Sequence, residues 1–79
     1  MKHKNEAIEK AILYILTTVD MCTTEDVQLA LESDFYIRAR SGAIRRNLDL
    51  LEKNGLIESM TGRHGRKLWS LIADNQPLA

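Results

Sequence analysis

The stretch from Ser41 to Ile57, SGAIRRNLDLLEKNGLI, constrains the rest of the chain. Ile44, Leu48 and Leu51 recur at helical spacing and make one apolar stripe, which Leu50, lying off it, could widen. Arg45, Arg46 and Asp49 fall away from that stripe, toward solvent. Gly55, after Asn54, closes the helix, because glycine reaches the left-handed conformation of a C-cap without steric cost. Leu56-Ile57 then opens a new element. Taken alone, the stretch is also compatible with an ordinary amphipathic surface helix, so its neighbours decide what it is for.

With 79 residues there is room for one small domain. We expect residues 1–73 to form it and 74–79, which include Pro77, to be a flexible tail. Cys22 is the single cysteine, so no internal disulfide can form, which fits a reducing compartment. No apolar run approaches a membrane span, and MKHKNEAIEK lacks the apolar core of a secretory signal. The expectation is a cytoplasmic protein with no membrane partner. The formal net charge is zero, but the charge is segregated. Residues 1–34 set three lysines against seven carboxylates, a net −4, and residues 35–79 set eight cations against four carboxylates, a net +4. Two clusters, Arg38/Arg40/Arg45/Arg46 and Arg63/Arg66/Lys67, contain no acid within 38–46 or 63–67. Such a patch can bind phosphate although the whole chain is neutral.

Upstream, Asn5 to about Thr18 reads as a first helix with Asn5 as N-cap and Ile8, Ala11, Ile12, Ile15 and Leu16 as its core face. Met21-Cys22 is a short extended link. Thr23 is an N-cap with Asp26 completing a near-match to a capping box, and a second helix runs from Thr24 to about Glu32 or Ser33, burying Val27, Ala30 and Leu31. Leu29 is off that stripe. The connection Ser33–Ala39 carries Phe35, Tyr36 and Ile37, so Phe35 or Ile37 should pack inward. Arg38 and Arg40 approach the third helix, with Ser41 a possible cap. Cations are misplaced at a helix N-terminus unless an anion meets them. Downstream, Leu56–Met60 and Arg66–Ile72 read as strands around a turn, Thr61-Gly62-Arg63-His64-Gly65, with Ile57, Trp69 and Leu71 on one face.

Helix, helix, helix, hairpin resembles the winged helix-turn-helix family of small prokaryotic DNA-binding transcription regulators. The resemblance rests on Thr24-Glu25-Asp26-Val27 and Ala30-Leu31, on Ile44-Arg45-Arg46-Asn47-Leu48, on Leu51 through Ile57, and on Gly62, Arg66, Trp69 and Leu71 in the wing. It implies an α+β fold, a three-helix bundle with a C-terminal β-hairpin wing. It further implies sequence-specific binding of double-stranded DNA and transcription regulation, in a prokaryotic or phage setting. The recognition helix, 41–54, would lie in the major groove and the wing, 61–67, on the backbone or minor groove. Gly42, Ala43, Arg45, Arg46 and Asp49 would face DNA, and Arg46 stands where the family frequently has arginine. Asn47 departs from the small apolar residue common there, which implies looser or hydrogen-bonded packing against the second helix. Relatives of this kind often dimerise, and here the first helix is the candidate surface.

Arginine suits such a site because its guanidinium can contact guanine O6 and N7 together or straddle a phosphate. Arg45 and Arg46 are assigned to groove contact, and Arg38, Arg40, Ser41, Arg63, Arg66 and Lys67 to phosphate, with Gly42 and His64 completing the set. His64 is also readable as a plain exposed turn residue, and Trp69 as a core plug of the wing. His3, His64 and Cys22 lack metal-ligand spacing, so no metal and no cofactor is expected. Cys22 reads as a small apolar filler. No Gly-rich phosphate loop and no Ser-His-Asp arrangement argues for catalysis, so an enzyme is not expected. A second reading is a winged-helix protein-interaction module, a cofactor or inhibitor of a larger regulator. It would use the acidic half, Tyr36 and Leu29, and would not bind DNA itself.

Overall fold

The computed structural model describes the backbone of residues 2–72 and the side chains of residues 6–72. The expected tail, 74–79, lies outside the described residues. Three helices, α1 (Lys2–Thr18), α2 (Thr24–Phe35) and α3 (Ser41–Lys53), precede an antiparallel hairpin of β1 (Ile57–Thr61) and β2 (Lys67–Leu71). Nothing in Lys2–Lys4 breaks a helix, so α1 begins before Asn5, and Asn5 is an interior residue rather than the expected cap.

One core joins all five elements. Ile8, Ala11, Ile12, Ile15 and Leu16 of α1 are buried against Val27 and Leu31 of α2, Ile44, Leu48 and Leu51 of α3, and Ile57 and Trp69 of the hairpin. The apolar stripes predicted from helical spacing are these faces, and at ~1.5–3 kcal/mol per fully buried large side chain their burial is the main favourable contribution. Leu50 and Leu29 do not join the stripes and are exposed.

The α2 helix runs past its expected end at Glu32 or Ser33 and takes in Asp34 and Phe35. Phe35 supplies the reason: its ring meets Tyr14 of α1 edge-on, at 5.8 Å between centroids, and packs on the core. Tyr36 then stops the helix by taking the left-handed conformation, φ 56°, with its side chain in solvent. Ile37 turns back inward, its N–H donating to the Leu31 carbonyl at 2.9 Å. Both Phe35 and Ile37 pack, where one was required.

The α3 helix ends as expected. Gly55 has φ 82°, the Leu56 N–H donates to the Leu51 carbonyl, and the Gly55 N–H to the Glu52 carbonyl, both at 3.0 Å. This is a complete Schellman motif, and it aims the chain directly into β1. Ser59 Oγ donates to Glu52 Oε2 at 2.7 Å, tying β1 to the last turn of α3. The hairpin register pairs Ile57 with Leu71, Ser59 with Trp69 and Thr61 with Lys67. Ile57, Trp69 and Leu71 therefore share the inner face, as the alternation requires. The link at Cys22 does more than connect: Cys22 and Trp69 exchange backbone hydrogen bonds, at 3.0 and 2.7 Å, so Cys22 acts as a one-residue third strand. Trp69 is fully buried, as a wing plug should be.

Candidate nucleic-acid interface

The buried side of α3 is Ile44, Asn47, Leu48 and Leu51. Helical geometry then places Gly42, Arg46, Asp49 and Lys53 in one row on the opposite side, and all four are exposed. Lys53 was not singled out from the sequence, although its spacing from Arg46 and Asp49 carries the signal. Asn47 does not bridge to α2: its Nδ2 donates to the Ala43 carbonyl of its own helix at 2.9 Å, which satisfies a buried amide locally.

Two clefts flank this row. One, of about 480 Å³, lies between α3, the wing and the start of α2, and gathers Arg45, Arg66, Lys67, Thr61 and Gly65 with Thr23, Thr24 and Glu25. The other, of about 630 Å³, lies at the start of α3 beside α1, and gathers Arg38, Arg40, Ser41, Gly42 and Arg46 with Ile8, Ala39 and Ala43. Eight of the ten predicted contact residues thus divide between two places. Arg63 and His64 line neither cleft and stand exposed on the wing turn. Sequence reasoning missed Thr23–Glu25 as cleft residues. They read there as a helix cap, and only the docking of the wing on α2 brings them to Arg45.

The neighbours Arg45 and Arg46, about 100° apart around the helix, enter different clefts. Arg45 Nε lies 3.7 Å from Asp49 Oδ1, with both side chains about half exposed. Arg46 has no ion-pair or hydrogen-bond partner among the described residues. Lys67 is tied as well, its Nζ lying 5.1 Å from the centroid of the Trp69 ring. Beneath that ring, Trp69 Nε1 donates to Thr24 Oγ1 at 3.1 Å, which fixes the wing to the start of α2.

Two anchors orient the rest. Gln28 Nε2 donates to the Ala39 carbonyl at 3.0 Å and holds the segment bearing Arg38 and Arg40 against α2. In the wing, the Gly62 N–H donates to the Arg66 carbonyl at 2.6 Å across a short 3-10 turn, Arg63–Gly65. A Cβ on Gly62 would stand 3.1 Å from Leu68 Cδ1, a tight approach that the leucine side chain would have to yield to, whereas Gly65 (φ 73°) is favoured by conformation.

The start of α3 differs from expectation in one respect. Ser41 is the first helical residue, not the cap; the cap position is Arg40, whose side chain makes no capping hydrogen bond. An arginine has no acceptor to offer the first amides of a helix. Those amides and the nearby guanidiniums are all donors, and an anion satisfies both.

Among the described residues no group of three His, Cys, Asp or Glu could hold a metal ion. None of the described helices is long and apolar enough to cross a membrane. Cys22 is buried, and burial, followed by the Asp26 carboxylate nearby, pushes its thiol up from the ordinary value.

No protein-family model and no curated protein matches the chain. Solved structures do. RosR of H. salinarum superposes with a TM-score of 0.77 at 24% identity, over 86% of this chain and 61% of that one. RosR in its S1 complex gives the same TM-score and identity, over 86% and 60%. A solved domain of HOP2 gives 0.70 at 21% identity, over 82% of this chain and 98% of that one. The fold is a winged helix. The chain spans about three fifths of the length of the RosR chains it matches.

Proposed function

We propose that this winged helix binds double-stranded DNA sequence-specifically and regulates transcription. Helix α3 (recognition segment 41–54) enters the major groove, and the wing (61–67) rests on the backbone or in the minor groove. The observation that carries the reading is the exposed row of α3, in which Arg46 has no polar partner among the described residues, with a basic cleft toward the wing and another at the start of the helix. A helix presenting side chains outward between two cationic clefts matches a groove bounded by two phosphate strands. The HOP2 structure, described in terms of DNA recognition and protein interaction, supports the reading from the side of the fold.

In this reading Arg38, Arg40 and Ser41 hold phosphate at the uncapped start of α3. Arg66 and Lys67 hold it on the wing side, next to Arg45 in the groove, and Arg63 and His64 reach further along the backbone from the wing turn. Gly42 and Ala43 bring the helix backbone close to the base edges. A single copy buries limited surface on a duplex. A homodimer through α1 would ask for two half-sites about one helical turn apart.

The second reading, a protein-interaction module, draws on the exposure of Leu29 and Tyr36 on and just after the acidic α2. A fluorescence-anisotropy titration with mixed-sequence duplex across a salt series separates the two. DNA binding gives a slope of about −0.9 per phosphate neutralised, with affinity sharply reduced in Arg45→Ala/Arg46→Ala. A folded wild type that ignores duplex at low salt sinks the DNA reading and leaves the protein-interaction one.

A further inference from the structure

The carboxylate of Asp49 stands on the face that the proposed function turns toward a polyanion, between Arg46 and Lys53 in the exposed row. Helix stability does not account for it. Aspartate is a poor interior helix former. Its pair with Arg45 is half exposed, 3.7 Å long, and has the cation N-terminal to the acid, the less favourable order at that spacing. Against phosphate the charge is a cost. Against base edges it is useful, because the major-groove edge of a G·C pair offers two acceptors on guanine, N7 and O6, and one donor, the cytosine N4 amino group.

Resting on the DNA reading, we propose that Arg46 and Asp49 are the specificity-determining pair and that together they read a G·C pair. The Arg46 guanidinium supplies two donors to guanine, and the Asp49 carboxylate accepts from the cytosine amino group. The two side chains are three residues apart on one face, hence neighbours. Arg46 is free of polar partners among the described residues, so it can reach a base without breaking a contact. Asp49 also discriminates by exclusion. On a sequence that sets guanine or thymine opposite it, Asp49 meets only acceptors or a methyl group and is left unpaired beside phosphate, which lowers affinity for such sequences.

The test is selection of duplexes from a randomised pool by the wild type, Asp49→Ala and Asp49→Asn, with affinities measured on selected and unselected duplex. Wild type is expected to fix a G·C pair with a preference of about 5- to 150-fold, the equivalent of ~1–3 kcal/mol for one base contact. Asp49→Ala should relax the cytosine requirement and bind unselected duplex more tightly. Asp49→Asn should shift that position toward adenine, which asparagine contacts through N6 and N7. The proposal is overturned if both variants select the wild-type pair with wild-type stringency, or if Asp49→Ala weakens binding to all duplexes alike. Those results leave DNA binding standing. A wild type that enriches no sequence and shows no anisotropy change on any duplex removes both.

Discussion

Helices α2 and α3 begin with the same problem, a first turn of backbone N–H groups that the helix itself cannot satisfy, and the chain treats them in opposite ways. At α2, Thr23 Oγ1 accepts from the Asp26 N–H at 3.1 Å while the Asp26 carboxylate accepts from the Thr23 N–H at 3.2 Å. Glu25 and Asp26 add negative charge where the dipole favours it. At α3 the cap position is an arginine without a capping hydrogen bond, Arg38 precedes it, and the first turn carries no acid. One terminus is capped from within the protein. The other leaves donors and cations facing outward, an arrangement an external anion would complete. A protein of this size has little stability to spare, so an uncapped end is a cost that the fold carries.

The comparison breaks on the α3 side if its cations do not matter. Arg45→Ala/Arg46→Ala should reduce duplex affinity by about 100-fold, taking ~1–3 kcal/mol for each arginine. Circular dichroism should show the fold intact, since both side chains are exposed. The sharper experiment makes α3 resemble α2. Arg40→Asp supplies an N-cap acceptor and should stabilise the domain by about 1 kcal/mol, raising Tm by roughly 4–8 °C, while weakening duplex binding by about tenfold, the equivalent of ~1.4 kcal/mol for a reversed phosphate contact. If stability and affinity move in the same direction, the account of the open terminus is wrong. The reciprocal change, Thr23→Ala, should cost about 1 kcal/mol of stability and leave duplex affinity near wild type. A large loss of affinity would show that the completed terminus is also part of the site.

Two smaller effects follow. A Cβ at Gly42 meets nothing within 4 Å, so Gly42→Ala should fold well and gain roughly 0.4–1 kcal/mol from the less flexible unfolded chain, visible as a higher denaturant midpoint. Its duplex affinity should fall slightly if the helix backbone approaches the base edges there. The smallest effect concerns Cys22. Its folded-state thiol is shifted up from 9.0, so above about pH 9 the unfolded chain loses its proton first. The Cys22 contribution to stability is present in full below that pH and declines as pH rises through the shifted value. Denaturation at pH 8 and pH 10 should show a fall in midpoint that Cys22→Ala removes, and Ellman's reagent should react with the wild type only as it unfolds.

The elements were legible in the sequence because each is fixed by local chemistry. The apolar spacing of Ile8 through Leu16, the Thr23–Asp26 box, the Gly55 stop and the alternation of Ile57, Trp69 and Leu71 all act over a few residues, and each stands in the structure as read. The misreadings fall where a distant contact outweighed a local signal. Phe35 extended α2 because Tyr14 of α1 waited for its ring, and Tyr36 ended that helix without glycine. Asn5 and Ser41 have cap-forming side chains, but Asn5 lies inside α1 and Ser41 is the first helical residue of α3, so neither occupies a cap position.

Residue order by itself determined the architecture, the segregation of charge toward the last 45 residues, and which cations belong to the third helix and the wing. Tertiary structure alone decided how those cations divide. The docking of the wing on α2, through Trp69 to Thr24 and Cys22, carries Arg66 and Lys67 to Arg45. The packing of α3 beside α1 sends Arg46 to Arg38 and Arg40. Adjacent residues of a helix diverge by about 100°, so the partners of two neighbouring arginines depend on what lies beside the helix.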